Sequence, residues 1–182
     1  MLRTLSLDWG RVRSHPLLRA GLVVAGGVLI ALTERVVIPL PFTPVPITAQ
    51  TLAVLALAGL LGRWGAASVA LYLAGGASGL PVLAENWGGL ARFAGPTGGY
   101  LLGFLLGAYV AGWLAEKSRG RVLPLLGALL SGQAIIYACG LLWLGRFVPG
   151  NTLLAAGLYP FLVGDAVKLA LAFAAALPAR RR

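Results

Sequence analysis

Val122 through Leu144 is a run of 23 residues without one charged side chain. It is one of several apolar runs separated by short stretches that hold most of the arginines and lysines. About 20 consecutive apolar residues are what a helix needs to cross the hydrocarbon core of a bilayer. There every backbone polar group has to be satisfied within the segment itself. Composition closes the other routes. Of the 182 residues 59% are hydrophobic and 11% are charged, against about 25% charged in an average soluble domain. A water-soluble globule of this size cannot hide that much apolar surface. A membrane β-barrel needs short alternating strands, and these runs do not alternate. Cys139 is the single cysteine, which excludes a disulfide scaffold. The expectation is an all-α integral membrane protein, a bundle of six transmembrane helices forming one domain over residues 1–182.

The apolar segments fall at about 17–38, 48–62, 65–80, 97–115, 122–144 and 153–177. The second and third are short and divided only by Gly62-Arg63-Trp64-Gly65, which predicts a tight helical hairpin. Residues 1–16 form a basic tail with no small-residue cleavage site ahead of the first span, so they are expected to stay attached. If the N-terminus is cytoplasmic and all six segments cross, eleven basic residues lie inside and three outside. The inner group is Arg3, Arg11, Arg13, Arg19, Arg63, Lys117, Arg119, Arg121 and Arg180 to Arg182; the outer is Arg35, Arg92 and Arg146. This positive-inside bias places both termini in the cytoplasm. It also accounts for the formal charge of +10 without nucleic acid, since no basic stripe with interleaved aromatics is present.

The outer loops are longer and shaped. Residues 39–48 carry prolines at 39, 41, 44 and 46, which cannot continue a helix. An apolar, proline-rich loop outside a membrane is expected to act either as a lid, with Phe42, Thr43, Pro44, Val45, Pro46 and Thr48 as its central residues, or as a buried structural crossover. The costliest feature lies deeper. Asp165 and Lys168 stand three residues apart, on one face of the last helix. Each charge at that depth costs about 2.5–3.5 kcal/mol on insertion scales, so the two should point into the bundle and pair or meet a polar ligand. A carboxylate accepts and an ammonium donates, which together suit a ligand head with N–H groups and a carbonyl. Asn86, Trp87, Arg92 and Phe93 would share an outer vestibule with Asp165: an amide that reads donor and acceptor, aromatic walls, and a cation for a carboxylate.

Enzyme chemistry finds no footing. Gly95-Pro-Thr-Gly-Gly-Tyr100 lacks the Lys-Ser/Thr ending of a phosphate loop, so Gly98 and Gly99 serve either close helix packing or backbone donation to a ligand. Gly76-Ala-Ser-Gly79 imitates an intramembrane serine protease, but the only histidine, His15, is placed on the opposite side. One cysteine and one distant histidine offer no metal site. In the first span Gly21 and Ala25, and again Gly27 and Ala31, are small residues four apart, suited to close approach by a helix of this bundle or of a partner subunit.

Four ordered blocks then carry a resemblance. Pro44-Val-Pro-Ile-Thr48 with Gln50-Thr51, Gly79-Leu-Pro-Val82, Gly95-Pro-Thr-Gly-Gly-Tyr100 with Gly103-Phe104, and Gly164-Asp165 with Lys168 resemble the BioY family. These are the biotin-specific substrate-binding (S) subunits of energy-coupling-factor (ECF) transporters. The resemblance implies a six-helix bundle of the ECF S-component type in the cytoplasmic membrane of a prokaryote. It also implies an outward pocket for biotin from helices 4 to 6, under the loop between helices 1 and 2. It implies partnership with a transmembrane coupling subunit and two ATPase subunits, toward which Gly21 and Ala25 would face, with no cofactor bound by this chain. Some members work without that module, and a sibling S subunit for another vitamin is the alternative reading. Within the resemblance, Asp165 would accept from a ureido N–H, Lys168 would neutralise it and donate to biotin, and Asn86 would complete the head-group reading. Trp87, Phe93, Tyr100 and Tyr137 would be apolar walls. The tail carboxylate would meet Arg92 or backbone N–H groups, although Lys168 could equally hold it.

Overall fold

Pro16 sits at the first turn of helix α1, Pro16–Thr33, where its missing N–H costs nothing. The computed structural model describes residues 15–83 and 89–180. Helix α1 stops at Thr33, whose hydroxyl donates back to the Ile30 carbonyl at 2.9 Å. The apolar run expected to continue to residue 38 turns instead into strand β1, Val37–Ile38, paired antiparallel with β2, Ile47–Thr48. The reason is local: Pro39 and Pro41 follow, and a β-branched stretch before proline favours extended backbone. The proline-rich segment is thus a β-hairpin closed by its own ladder.

Helices α2, Gln50–Leu61, and α3, Trp64–Ala77, make the expected tight hairpin. Gly62 at the turn has φ +64°, the left-handed region that favours glycine. A Cβ on Gly65 would stand 2.7 Å from the Leu57 and Ala58 backbone, so only glycine lets the two helices close there. Glu116 anchors the turn from outside: its carboxylate accepts from the Arg63 backbone N–H at 3.0 Å and pairs with the Arg63 guanidinium at 3.2 Å. A short turn, α4 (Ala91–Ala94), precedes the two long helices α5, Gly98–Lys117, and α6, Val122–Leu144. The last apolar segment is broken. A short helix α7, Leu153–Gly157, ends at Leu158, and α8, Tyr159–Arg180, follows. Pro160 explains the break, since it restricts the residue before it and cannot donate to the preceding turn.

Among the described residues, four helical stretches are long and apolar enough to cross a membrane: Pro16–Thr33, Gly98–Lys117, Val122–Leu144 and Leu153–Arg180. With 12 and 14 residues, α2 and α3 extend about 18 and 21 Å at 1.5 Å per residue, short of the ~30 Å core. Their position makes that length tolerable. Helix α2 buries nine of its residues, packing against α1, α3, α5, α6 and α8. Its backbone ends therefore meet protein rather than lipid.

The pair α5 and α6 packs most extensively, along a seam of glycines. A Cβ on Gly107 would lie 2.7 Å from the Gly132 carbonyl oxygen, and one on Gly99 would collide with Trp143 and the Cys139 carbonyl. The ring of Tyr100 occupies the space over Gly140. Gly99 thus sits in the close seam with α6, whereas a Cβ on Gly98 would collide first with the Phe93 carbonyl of α4. Helix α1 is the least buried of the four long apolar stretches. Gly26, Gly27 and Ile30 are buried, with Gly26 and Gly27 against Ser68 of α3, whereas Gly21 and Ala25 are exposed and nothing lies within 4 Å of a Cβ on Gly21. The two small-residue pairs therefore part ways: Gly27 packs inside the bundle, while Gly21 and Ala25 lie on an open face.

Forcing a methyl group into the α5–α6 seam should be costly, by about 1–3 kcal/mol. Gly99→Ala is expected to lower the thermal midpoint of the detergent-solubilised protein, whereas Gly127→Ala, with nothing within 4 Å, leaves it unchanged or raises it.

Candidate functional site

Helices α5, α6 and α8, the β-hairpin and the start of α2 together line a cavity of about 650 Å³ including the space at its open mouth. Leu101, Phe104, Ile136 and Phe161 form its apolar walls. Val45, Pro46 and Thr48 of the hairpin border it, as do Gln50 and Thr51 at the start of α2. Glu34, Arg92, Thr97, Tyr100, Tyr137, Asp165 and Lys168 supply further polar groups.

Asp165 is the centre of the inner polar group. Six residues past the start of α8, it lies about 9 Å along the helix, and its side chain is 8% exposed. Its Oδ1 accepts from Lys168 Nζ at 2.7 Å, an ion pair one helical turn long. Its Oδ2 accepts from the Tyr137 hydroxyl at 2.7 Å and from Gln133 Nε2 at 2.9 Å. Tyr137 and Gln133 are four residues apart on α6, one above the other, so a single helix face presents both donors. A carboxylate has about four acceptor sites and an ammonium three donors. Three of the former and one of the latter are used within the protein, leaving one acceptor on Asp165 and two donors on Lys168 for a ligand.

An outer polar group stands at the end of α1. Glu34, 4% exposed, accepts from the Tyr72 hydroxyl at 3.1 Å. Gln50, 2% exposed, stands beside Tyr72 and lines the cavity. The β-hairpin between Glu34 and Gln50 is held down from its own tip. Thr43 donates its hydroxyl to the Ala156 carbonyl at 2.7 Å and accepts from the Val45 N–H at 3.2 Å. Tyr100 likewise donates to the Gly157 carbonyl at 2.7 Å. The break at Leu158 thus exposes two carbonyls that hairpin and cavity wall both use.

The expected residues are distributed as follows. Asp165, Lys168, Arg92, Tyr100, Tyr137, Val45, Pro46 and Thr48 border the cavity. Phe93 packs against the hydrophobic core instead, Gly98 lies against the Phe93 carbonyl, and Gly99 faces α6. Thr43 is buried as the tip's anchor, while Phe42 is 64% exposed. Pro44 is exposed beside Thr43. Asn86 and Trp87 lie outside the described residues. Tyr137 has a role beyond a wall, because its hydroxyl grips the carboxylate. Gln133, Glu34, Gln50 and Tyr72 were not expected; the available signal was a polar side chain within or at the edge of an apolar run.

Removing one partner of the inner pair leaves a charge buried. Lys168→Ala should destabilise the protein by at most the roughly 3–5 kcal/mol typical of a broken buried pair, since two donors remain on Asp165. In thermal melts in detergent, Asp165→Asn/Lys168→Ala is expected to recover part of that loss.

Comparison with known proteins places this geometry. The model of the BioY family matches residues 10–182. The chain is 42% identical over 142 residues to the biotin transporter BioY of Thermotoga maritima, covering 77% of this chain and 83% of that one. It is 39% identical over 155 residues to the biotin transporter BioY of Rhizobium etli, covering 80% and 83%. Among solved structures it superposes on the S-component for biotin from an ECF-type ABC transporter, a 2.1 Å crystal structure. The TM-score is 0.83 with 28% identity, covering 96% of this chain and 94% of that one.

Proposed function

The chain belongs to the BioY family, and from that premise we propose that it captures biotin in the cavity above Asp165 and delivers it across the cytoplasmic membrane. It is a membrane transport protein, not an enzyme; its relatives are named transporters and its fold is that of a transport subunit. The observation that carries the ligand reading is the Asp165–Lys168 pair, held by Gln133 and Tyr137 at the wall of an otherwise apolar cavity.

The chemistry of biotin matches that inventory. Its ureido head has two N–H groups and a carbonyl; the free acceptor site on Asp165 takes an N–H and Lys168 donates to the carbonyl. The thiolane ring lies against Phe104, Ile136 and Phe161, and the tail carboxylate runs toward Arg92. The hairpin at residues 37–48 is the lid: Val45 and Pro46 cover the ligand, and Thr43 fastens the tip to Ala156.

Six helices cross the membrane in this reading, α1, α5, α6 and α8 at full length and α2 and α3 as a short central hairpin, with both termini cytoplasmic and the chain acting as one domain. The exposed face of α1 bearing Gly21 and Ala25 meets a transmembrane coupling subunit driven by two ATPase subunits. No cofactor is required by this chain.

Biotin titrated into the purified protein in detergent should bind tightly, and Asp165→Asn and Lys168→Ala should each weaken binding by tenfold or more. Failure of a folded wild type to bind biotin, or its displacement by thiamine or riboflavin, would contradict the assignment. A C-terminal alkaline phosphatase fusion should be inactive, as expected for a cytoplasmic terminus.

A further inference from the structure

Arg19, near the start of α1, is half-buried, and its guanidinium lies 4.6 Å from the centre of the Trp64 ring at the start of α3. An indole covers one face of a guanidinium and leaves the in-plane fork of N–H donors uncommitted. Among the described residues no carboxylate pairs with Arg19; the ion pairs there are Arg63–Glu116 and Lys168–Asp165. The surroundings are those of a membrane boundary. Leu17, Leu18 and Trp64 are all exposed. Helix α1 has 18 residues and spans about 27 Å, so a residue in its first turn stands at the headgroup level of a bilayer with a ~30 Å core. Further cations share that end. Arg63 directly precedes Trp64 with its side chain 57% exposed, Lys117 lies 3.4 Å over the Trp113 ring, and Arg119 and Arg121 are exposed in the turn before α6. Glu116 is the one carboxylate at that end among the described residues, and Arg63 takes it.

We propose that the corner formed by Arg19, Trp64 and the α2–α3 turn binds the headgroup of an anionic phospholipid, its phosphate on the Arg19 fork and its acyl chains against the exposed apolar surface of α1. A planar fork stacked on an aromatic ring is suited to phosphate, and the excess of cations at this end favours a headgroup with net negative charge. The exposed leucines beside Arg19 select a lipid over a phosphate free in water, since only the lipid covers them as well. The proposal rests on α1 crossing the membrane with its first turn at the cytoplasmic leaflet, and not on what the cavity holds.

Such a lipid ties down the span that the bundle holds least. Gly26 and Gly27 of α1 rest against Ser68, whose hydroxyl has no hydrogen-bond partner, so that contact is packing alone. A phosphate between Arg19 and the α2–α3 turn adds a polar tie at the inner end of α1. Two positions on a helix turn by about 200°, so Arg19 faces away from Gly21, and a lipid at Arg19 leaves the open Gly21–Ala25 face clear for a partner subunit.

The test adds phosphatidylglycerol, phosphatidylcholine or glycerol phosphate to the full chain in a neutral detergent. Phosphatidylglycerol should raise the thermal midpoint by about 2–4 °C relative to phosphatidylcholine. Glycerol phosphate should not raise it, and Arg19→Gln should lose most of the rise. Because each variant is read against its own phosphatidylcholine sample, a general loss of stability cannot imitate that result. Arg146→Gln removes an equal charge from a cation–indole pair beyond the other end of α6, 4.5 Å from the Trp143 ring, and should keep the full rise. Native mass spectrometry should show phosphatidylglycerol retained by wild type and by Arg146→Gln, and reduced about fivefold or more in Arg19→Gln. Equal losses in the two variants would mean net charge rather than a site. A rise with glycerol phosphate matching that with the lipid would mean a soluble anion. Either result overturns the proposal, as does a wild type that does not distinguish the two lipids. None of these readouts uses biotin, so this proposal and the reading of the cavity fail separately.

Discussion

A carboxylate inside an apolar bundle has to be answered from within the protein, and Asp165 is answered from two helices. Lys168 meets one oxygen from the next turn of α8; Gln133 and Tyr137 meet the other from a single face of α6. The arrangement fixes the rotation of α8 relative to α6, because turning either helix would strand a buried charge. It also leaves the pair incompletely used. A fully closed network would be structural, whereas one free acceptor and two free donors at a cavity wall make it a recognition site as well.

The glycine seam between α5 and α6 serves the same end. Gly99, Gly103, Gly107, Gly132 and Gly140 bring the two backbones close enough that Tyr100 and Ile136 are pressed against the cavity rather than spread along an interface. The break at Leu158 completes the frame. It frees the Ala156 and Gly157 carbonyls, which fasten the lid through Thr43 and the wall through Tyr100. Lid, wall and charged helix therefore meet around one interruption in the last apolar segment.

What was legible in the sequence follows the size of the energetic signal. Two charges in an apolar run are expensive, so Asp165 and Lys168 stood out, and Gly62 with Gly65 announced the α2–α3 hairpin. Gln133 was silent, and Gln50 entered only with its motif and without a role, because an uncharged amide in or beside a helix costs little until its surroundings are known. Glu34 closes α1, where a charge is ordinary, and only the fold turns that helix end inward. Proline misled in one place and was overlooked in another. The run at 39–46 gave a shaped loop but not its β-ladder, while Pro160 carried the break before α8 within a segment that read as continuous. Phe93 showed the limit of proximity in sequence, since its neighbour Arg92 borders the cavity and Phe93 packs into the core.

The central claim is that the cavity between α5, α6 and α8 is where biotin sits. The most direct measurement is an experimental structure of the protein with biotin bound in lipid or detergent. The account predicts the ureido head within hydrogen-bond distance of Asp165 and Lys168, the ring against Phe104 and Phe161, and the lid closed over it by Thr43. Biotin located outside this cavity, or inside it with Asp165 and Lys168 paired only to protein, would contradict the account.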